Sequence, residues 1–279
     1  MKIKGKELTM SMEIRTVRTD SFSMDYFCFG KGKKALVILP GLSVQSVMGL
    51  AGLVAEAYKM FADDHTVYMF DRRKELPDPY SIKEMAEDTA EAVRSLGLSD
   101  IDLLGASQGA MIGMQMAAGH PELVRRLVIC SSASRVDEDA AGLFNEWIRL
   151  AKEGDREGLY MAFGEAVYPP DVFEKSKKAL RAAAKTVTDE DLERFVILAD
   201  MKDFDITEDL KKITCPVLVL GSMDDQVLGC EPSFRIAADL GRRKGLVLQM
   251  YDGYGHAAYD LAPDYKENIL RFLSGDREQ

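Results

Sequence analysis

One serine of the chain stands between two glycines in a run of small residues. The stretch reads LLGASQGAMIGMQMA, and it places Ser107 in a G-x-S-x-G pattern with Gly105 and Gly109. An apolar pair precedes the pattern, and a segment typical of a packed helix follows it. A strand, this turn and a helix together form a nucleophile elbow, in which the serine hydroxyl projects above a sheet. The pattern therefore predicts that Ser107 is a nucleophile.

The neighbours of Ser107 suit the tight turn that such a nucleophile requires. Glycine lacks a Cβ atom, so Gly105 and Gly109 allow the strand and the helix to approach closely. The turn forces the serine into a sparsely populated backbone conformation. It also directs the main-chain N–H of Gln108 toward the place where negative charge develops during attack on a carbonyl group. We therefore expect Gln108 to contribute to an oxyanion hole.

A serine hydroxyl is a weak nucleophile and needs a base, for which the chain offers three histidines. His65 opens a predicted strand and His120 follows a predicted helix, so we expect both to be surface or capping residues. His256 lies in the segment YDGYGHAAYD, between the last predicted strand and the last predicted helix. That loop is at the carboxyl edge of the predicted sheet, where open α/β sheets bind their ligands. We predict that His256 is the base and later protonates the leaving group.

Strand-like and helix-like segments alternate along most of the chain. Residues 11–18 and 22–29 alternate in polarity, which is typical of antiparallel edge strands. The other predicted strands are 33–41, 65–71, 100–106, 124–132, 215–221 and 245–251, and the predicted helices are 44–61, 81–97, 108–119, 232–243 and 261–273. Strands that alternate with helices predict a parallel sheet with right-handed crossovers. The expected fold is α/β: a mostly parallel central sheet of about eight strands with helices on both faces.

Residues 135–205 interrupt this alternation. They contain long segments with helical periodicity and no strand pattern. We therefore expect one α/β core domain, formed by residues 1–134 and 206–279, with residues 135–205 inserted as a helical cap. Large apolar residues of the insertion are candidates for the wall of a cleft beneath the cap, and these are Phe144, Trp147, Leu159, Met161, Phe163, Tyr168 and Phe195.

The composition argues against several classes of function. The chain has 36 Lys and Arg residues against 46 Asp and Glu residues, which gives a formal net charge of −10 at pH 7. Nucleic acids and anionic membranes attract basic surfaces, so neither is an expected partner. The sequence shows no secretory signal, and no apolar run reaches the ~18 residues of a membrane-spanning helix, so we expect a cytoplasmic protein. The four cysteines lack the spacing of a metal site, and no metal is expected.

Five segments of the chain resemble the α/β-hydrolase fold superfamily. They are LPGL (39–42), FDRR (70–73), GASQG (105–109), PVLVLGSMDDQVLG (216–229) and GYGHAAY (253–259). The resemblance covers nearly the whole chain. It implies a catalytic triad in the order serine, acid, histidine, an order into which Ser107 and His256 fit.

The resemblance implies an acid after the seventh predicted strand, where two aspartates are adjacent. Counting forward from Gly221 by the commonest spacing of the family favours Asp224. Counting backward from Gly229, where relatives often carry proline, favours Asp225 and also aligns the helix that follows. We prefer Asp225 as the acid and keep Asp224 as the alternative. Either carboxylate would hold the histidine tautomer and stabilise the imidazolium.

The resemblance also implies a second oxyanion donor in the turn after the third strand. In the turn PGLSVQS we choose the main-chain N–H of Leu42 as the partner of that of Gln108. Pro40 stands where many relatives have histidine, and no H-G-G-G run is present, which disfavours the lipases and esterases defined by that run. Near the next predicted strand, Asp71 and Arg72 are expected to form a structural ion pair.

The activity that the resemblance implies is covalent hydrolysis of an acyl substrate. Dehalogenases and epoxide hydrolases use aspartate as the nucleophile, so the serine excludes them. Ser107 would attack a carboxylic ester, thioester or related acyl group, and His256 would activate water to release the acid. No cofactor is required, and the expected partner is a small hydrophobic acyl substrate. A ligand receptor or signalling protein on the same fold, and an acyltransferase, are the alternatives.

Overall fold

The structure, a computed structural model, describes residues 12–242 and 244–275. One sheet runs through this part of the chain. Within these residues the sheet has eight strands, which are β1 (Arg15–Arg18), β2 (Ser23–Phe29), β3 (Lys34–Leu39), β4 (His65–Arg73), β5 (Ile101–Ala106), β6 (Val124–Cys130), β7 (Val217–Ser222) and β8 (Leu246–Tyr251). Residue 11 of the predicted strand 11–18 and residue 243 of the predicted helix 232–243 lie outside the described residues.

The strands lie in the spatial order β1-β2-β4-β3-β5-β6-β7-β8. Strand β2 pairs antiparallel with both β1 and β4, and the neighbours from β4 to β8 are parallel. The register aligns Leu39 with Gly105 and Ala106 with Cys130, so β3, β5 and β6 end at one edge of the sheet. The prediction of a mostly parallel sheet of about eight strands is confirmed.

Helices pack on both faces of this sheet, and four further helices follow one another between β6 and β7. The helices are α1 (Ala51–Ala57), α2 (Ile82–Ser95), α3 (Gln108–Gly119), α4 (Glu138–Lys152), α5 (Arg156–Val167), α6 (Pro170–Ala184), α7 (Asp189–Ala199), α8 (Glu231–Leu240), α9 (Ala258–Leu261) and α10 (Tyr265–Ser274). All residues of β5 are buried, and the adjacent Leu103 and Leu104 belong to separate hydrophobic clusters. Successive side chains of a strand point to opposite faces, so each face of the sheet has its own core.

Local sequence explains where two of the predicted helices begin and end. A capping box begins α2, because Ser81 and Glu84 each accept a hydrogen bond from the main chain of the other. The predicted helix 44–61 is wrong as one element. It consists of α1 between two short 3-10 turns, and Leu50 at its start offers no side-chain acceptor for the first helical N–H groups.

The segment between β6 and β7 is helical, as its periodicity predicts. Residues 135–205, all of them described, contain α4, α5, α6 and α7. An isolated antiparallel bridge pairs Arg135 with Asp205, the first and last residues of the predicted insertion. The chain therefore leaves and re-enters the α/β core at one place. The function of this segment as a cap stays a prediction.

The expectation that His65 is a surface or capping residue is wrong. Its ring is almost completely buried, and its Nε2 lies 2.9 Å from a carboxylate oxygen of Asp102. Arg125 donates to the same carboxylate through Nε at 3.1 Å. These residues stand at the starts of β4, β5 and β6, so strands far apart in sequence bury the histidine. His120, by contrast, follows α3 directly and pairs with Glu87.

The buried carboxylate of Asp102 makes a prediction about stability. We expect Asp102→Asn to lower the free energy of unfolding by about 2 kcal/mol, because Arg125 loses a charge-assisted partner inside the protein. Urea unfolding followed by circular dichroism measures this change.

Asp171→Asn is the matched control, since Asp171 pairs with Lys175 on the exposed surface and such pairs contribute little. We expect the control to unfold as the wild type does. Equal unfolding midpoints for all three proteins would contradict the structural importance of the buried carboxylate.

Candidate active site

Ser107 lies between the end of β5 and the start of α3 in a strained main-chain conformation. Its φ is 52° and its ψ is −120°, which costs a residue with a Cβ atom about 1–3 kcal/mol. The main-chain N–H of Ser107 donates to the carbonyl of Cys130 at 2.8 Å, and its carbonyl accepts from the N–H of Ala110 at 2.9 Å. The hydroxyl of Ser132 donates to the same carbonyl at 2.9 Å. Contacts with β6, α3 and the β6 loop therefore fix the turn.

The two glycines of the turn are needed because main chains meet there. A Cβ atom at Gly105 would lie 2.4 Å from Cα of Ala110. A Cβ atom at Gly109 would lie 2.1 Å from the carbonyl oxygen of Leu39. Real Cβ atoms do not approach so closely, so α3 starts directly against β3 and β5 only because both positions are glycine.

His256 and Asp225 form a buried pair at the same edge of the sheet. Nδ1 of His256 lies 2.8 Å from Oδ2 of Asp225, and both side chains are less than 5% exposed. The other oxygen of Asp225 accepts from the N–H groups of Val227 at 2.8 Å and Leu228 at 3.0 Å. Burial alone would raise the pKa of Asp225, but the charge and hydrogen bond of His256 and these two amides lower it below the usual value. The carboxylate is therefore ionised near neutral pH.

Asp224, the alternative acid, has different partners. One of its oxygens accepts from the hydroxyl of Ser222 at 2.8 Å and from the N–H of Gly253 at 3.1 Å. The other accepts from the N–H of Gly255 at 3.0 Å. Asp224 therefore holds the main chain of the loop that carries His256, and the structure brings only Asp225 to the imidazole ring.

The two predicted oxyanion donors flank Ser107. Gln108 is the first residue of α3, and Leu42 lines the same cavity as Ser107. A Cβ atom at Gly41 would lie 3.9 Å from Oγ of Ser107, so the turn after β3 passes directly beside the hydroxyl. Among the residues that the structure describes, none accepts a hydrogen bond from the main-chain N–H of Leu42 or of Gln108.

The predicted ion pair between Asp71 and Arg72 is wrong. Asp71 accepts instead from the guanidinium of Arg194 at 2.5 Å. The buried Arg72 turns the other way, and its Nη2 donates to the carbonyl of Pro40 at 2.8 Å and to Oε1 of Gln108 at 3.0 Å. Adjacent residues of a strand point to opposite faces, which explains why these two cannot meet.

Ser107 and His256 line one narrow cavity. Three of the predicted cleft residues contribute to its wall, and these are Phe144, Trp147 and Phe163. Four others do not line it, and these are Leu159, Met161, Tyr168 and Phe195. The wall also contains apolar residues that sequence reasoning missed, and these are Val167, Met201, Val227 and Tyr259. Of these four, only Tyr259 could have been found from the sequence, since it follows His256 by three residues. In the structure the two rings are in edge-to-face contact.

The cavity is small, and most of the residues that line it are apolar. The volume open to the centre of a water molecule is only about 20 Å³, which is room for about one water molecule. The N–H of Ala257, next to His256, donates to the carbonyl of Val167 at 3.1 Å and so ties the histidine loop to α5. Wider depressions of the surface exist, and one of about 660 Å³ lies between α8 and β8, away from Ser107.

The described residues, 12–242 and 244–275, contain no group of three or more His, Cys, Asp or Glu side chains that could hold a metal ion. Within the same residues, no helix is long and apolar enough to span a membrane.

A model of the alpha/beta hydrolase family matches residues 36–265 of the chain. Two curated relatives carry the name "Putative carbamate hydrolase RutD". The protein from Caulobacter sp. is 28% identical over 221 residues, which are 75% of this chain and 81% of the relative. The protein from Rhizobium rhizogenes is 26% identical over 255 residues, which are 88% of this chain and 94% of the relative.

Solved structures share the fold at lower sequence identity. An α/β hydrolase enzyme from a Medee basin deep-sea metagenome library superposes with a TM-score of 0.82 and 21% identity, over 93% of this chain and 97% of that one. The enol-lactonase from Burkholderia xenovorans superposes with a TM-score of 0.78 and 16% identity, over 93% of this chain and all of the other. The fold around Ser107 is therefore one that known hydrolases use.

The close approach at Gly109 predicts a large effect of one methyl group. We expect Gly109→Ala to lower the free energy of unfolding by at least about 3 kcal/mol, because its Cβ atom would overlap main-chain oxygen. Gly142→Ala is the control, since nothing lies within 4 Å of its Cβ position in α4, and alanine there should stabilise the protein by up to about 1 kcal/mol. Thermal unfolding compares the two, and a Gly109→Ala protein as stable as the wild type would refute the described turn.

Proposed function

This chain belongs to the α/β hydrolase family and is a hydrolase, and we propose that it is a serine hydrolase with the triad Ser107, His256 and Asp225. One observation carries the proposal. The imidazole of His256, hydrogen-bonded to a buried carboxylate, lines the same small cavity as a serine in a strained turn. Nucleophile, base and orienting acid are the three parts of covalent acyl transfer.

The proposed reaction has two steps. In the first, Nε2 of His256 takes the hydroxyl proton while Oγ of Ser107 bonds to the carbonyl carbon of the substrate. The tetrahedral intermediate then expels the leaving group, which receives that proton, and an acyl-enzyme remains. In the second, His256 takes a proton from water, the hydroxide oxygen bonds to the acyl carbon, and the bond to Oγ breaks as the proton returns to Ser107. The products are an acid and the protonated leaving group.

The two aspartates divide the support of His256 between them. Asp225 accepts the hydrogen bond from Nδ1, which leaves Nε2 free to act as the base, and its negative charge stabilises the imidazolium. Asp224 holds the N–H groups of Gly253 and Gly255 and thereby the path of the loop. We assign catalysis to Asp225 and loop positioning to Asp224.

The main-chain N–H groups of Leu42 and Gln108 are the proposed oxyanion hole. The turn after β3 passes beside the hydroxyl of Ser107, and Gln108 begins α3, where the helix dipole adds positive charge. Donors placed before the reaction stabilise the tetrahedral oxygen without further reorganisation, and each contributes about 10²–10³ in rate.

The cavity favours a compact substrate with an apolar acyl group. Its wall is formed mostly by aromatic and aliphatic side chains, several of them from α4 and α5, which we propose act as a cap over the site. The curated relatives are named as carbamate hydrolases, and a carbamate is a compact acyl compound that the same mechanism can cleave. We therefore propose small esters, thioesters or carbamates as the substrate class. A cytoplasmic location and independence from cofactors remain part of the proposal.

Labelling with a fluorophosphonate tests the nucleophile. We expect the wild type to be labelled once, at Ser107, and Ser107→Ala to be neither labelled nor active, with kcat lower by about 10⁴-fold or more. Hydrolysis of p-nitrophenyl esters from acetate to decanoate, and of a p-nitrophenyl carbamate, should give the highest kcat/KM for the smallest acyl groups.

Ser95→Ala is the control, because Ser95 is an exposed residue of α2, and this variant should be labelled as the wild type is. A folded wild type that is not labelled would contradict the proposed mechanism. Tight ligand binding without turnover would favour the receptor alternative, and transfer of the acyl group to an added alcohol in preference to water would favour the acyltransferase.

The two aspartates give a separate prediction. Asp225→Asn should lower kcat by about 10⁴-fold, because the amide would favour the wrong tautomer of His256. Asp224→Asn should act more weakly, since it weakens main-chain contacts of the loop and leaves the imidazole partner in place. Steady-state kinetics with p-nitrophenyl acetate measures both variants. Equal losses, or a greater loss in Asp224→Asn, would reverse the assignment of the acid.

A further inference from the structure

We propose that Arg72 and the side chain of Gln108 are positioning residues, which hold the two amides of the oxyanion hole in one arrangement. The inference rests on the proposed function, since it concerns how the chain builds that hole. Neither side chain lines the cavity, so neither is expected to touch the substrate. Both act through the main chain of the turns that do line it.

A single nitrogen atom joins the two turns. Nη2 of Arg72 donates to the carbonyl oxygen of Pro40 at 2.8 Å and to Oε1 of Gln108 at 3.0 Å. Pro40 precedes Gly41 and Leu42, and Gln108 follows Ser107. The bond to Pro40 fixes the peptide plane before Gly41, so only the two dihedral angles of Gly41 separate this plane from the N–H of Leu42.

The guanidinium group is suited to this arrangement. It is planar and always carries its donors in a fixed geometry, whereas a lysine ammonium is a point charge on a flexible stem. Hydrogen bonds from a charged donor are roughly twice as strong as neutral ones. Arg72 can therefore hold two acceptors on different turns at a fixed distance from each other.

No ion pair among the described residues explains why Arg72 is buried. Among the described residues, Arg72 has no carboxylate within ion-pair distance, and its Nε has no hydrogen-bond partner. The adjacent Asp71 is held by Arg194 and by the hydroxyl of Ser46. Burial lowers the pKa of Arg72 to about 10, and the Asp71 charge opposes this change, so the group stays charged at neutral pH. A buried charge with no carboxylate in direct contact is costly, which favours a functional reason for its presence.

Gln108 extends the connection to the helical segment. Its Nε2 donates to the carbonyl of Leu198 at 2.5 Å and lies 3.2 Å from the sulfur of Met201, a residue of the cavity wall. The side chain of Gln108 thus contacts Arg72 at one end and the end of α7 at the other. The arrangement of the oxyanion hole is thereby linked to the position of α7 on the core.

The test combines kinetics with crystal structures. Arg72→Met removes both donated hydrogen bonds. Arg73→Met is the matched control, because Arg73 contacts Asp88 and the carbonyl of Ser21 instead of the two turns. We expect Arg72→Met to lower kcat by about 10²-fold per labelled active site, with KM changed less than threefold, because an oxyanion donor acts mainly in the transition state. In its crystal structure the N–H groups of Leu42 and Gln108 should move apart by more than about 0.5 Å. Arg73→Met should match the wild type in both measurements.

Arg72→Lys and Gln108→Met provide the same comparison if Arg72→Met does not fold. Gln108→Met removes the acceptor for Arg72 and the donor to Leu198 but keeps the main-chain N–H, so its kcat should fall while KM is nearly preserved. Unchanged kcat in folded variants, or a lower kcat with the two amides in their wild-type positions, would overturn the inference. If the wild type shows no turnover that depends on Ser107, the proposed function fails, and the positions of the amides alone decide whether Arg72 arranges them.

Discussion

The strained main chain of Ser107 is the constraint on which the rest of the site depends. A positive φ at a residue with a Cβ atom persists only where its surroundings determine it. Here a carbonyl of β6 accepts a hydrogen bond from the N–H of Ser107, and an N–H of α3 and the hydroxyl of Ser132 donate to the carbonyl of Ser107. Two glycines let α3 start against the ends of β3 and β5. Every other proposed catalytic group is placed relative to this turn, since parallel strands bring their following loops to one edge of the sheet.

Around this turn, main-chain hydrogen bonds do much of the positioning. Asp224 holds the N–H groups of the histidine loop, two amides hold Asp225, and the carbonyl of Val167 holds the residue after His256. The proposed catalytic groups are therefore as rigid as the loops that carry them, and the reaction needs little reorganisation at the moment of charge development.

Local patterns predicted the elements of the fold and the residues next to the turn. Gly105 and Gly109 indicate the elbow because their effect is exerted on neighbours in sequence, and the capping box of α2 is equally local. Sequence could not choose firmly between Asp224 and Asp225, because the directions of adjacent side chains in a loop depend on its three-dimensional path.

Local sequence patterns could not predict contacts between distant segments of the chain. The burial of His65 depends on Asp102 and on a third strand, and the partners of Arg72 lie 32 and 36 positions away. No spacing rule connects such positions. The narrowness of the cavity has a consequence of its own. A site with room for about one water has to widen before it admits an acyl compound, and α4 and α5 contribute part of its wall. We therefore expect discrimination by size at admission, in the association rate, before any bond of the ligand is broken.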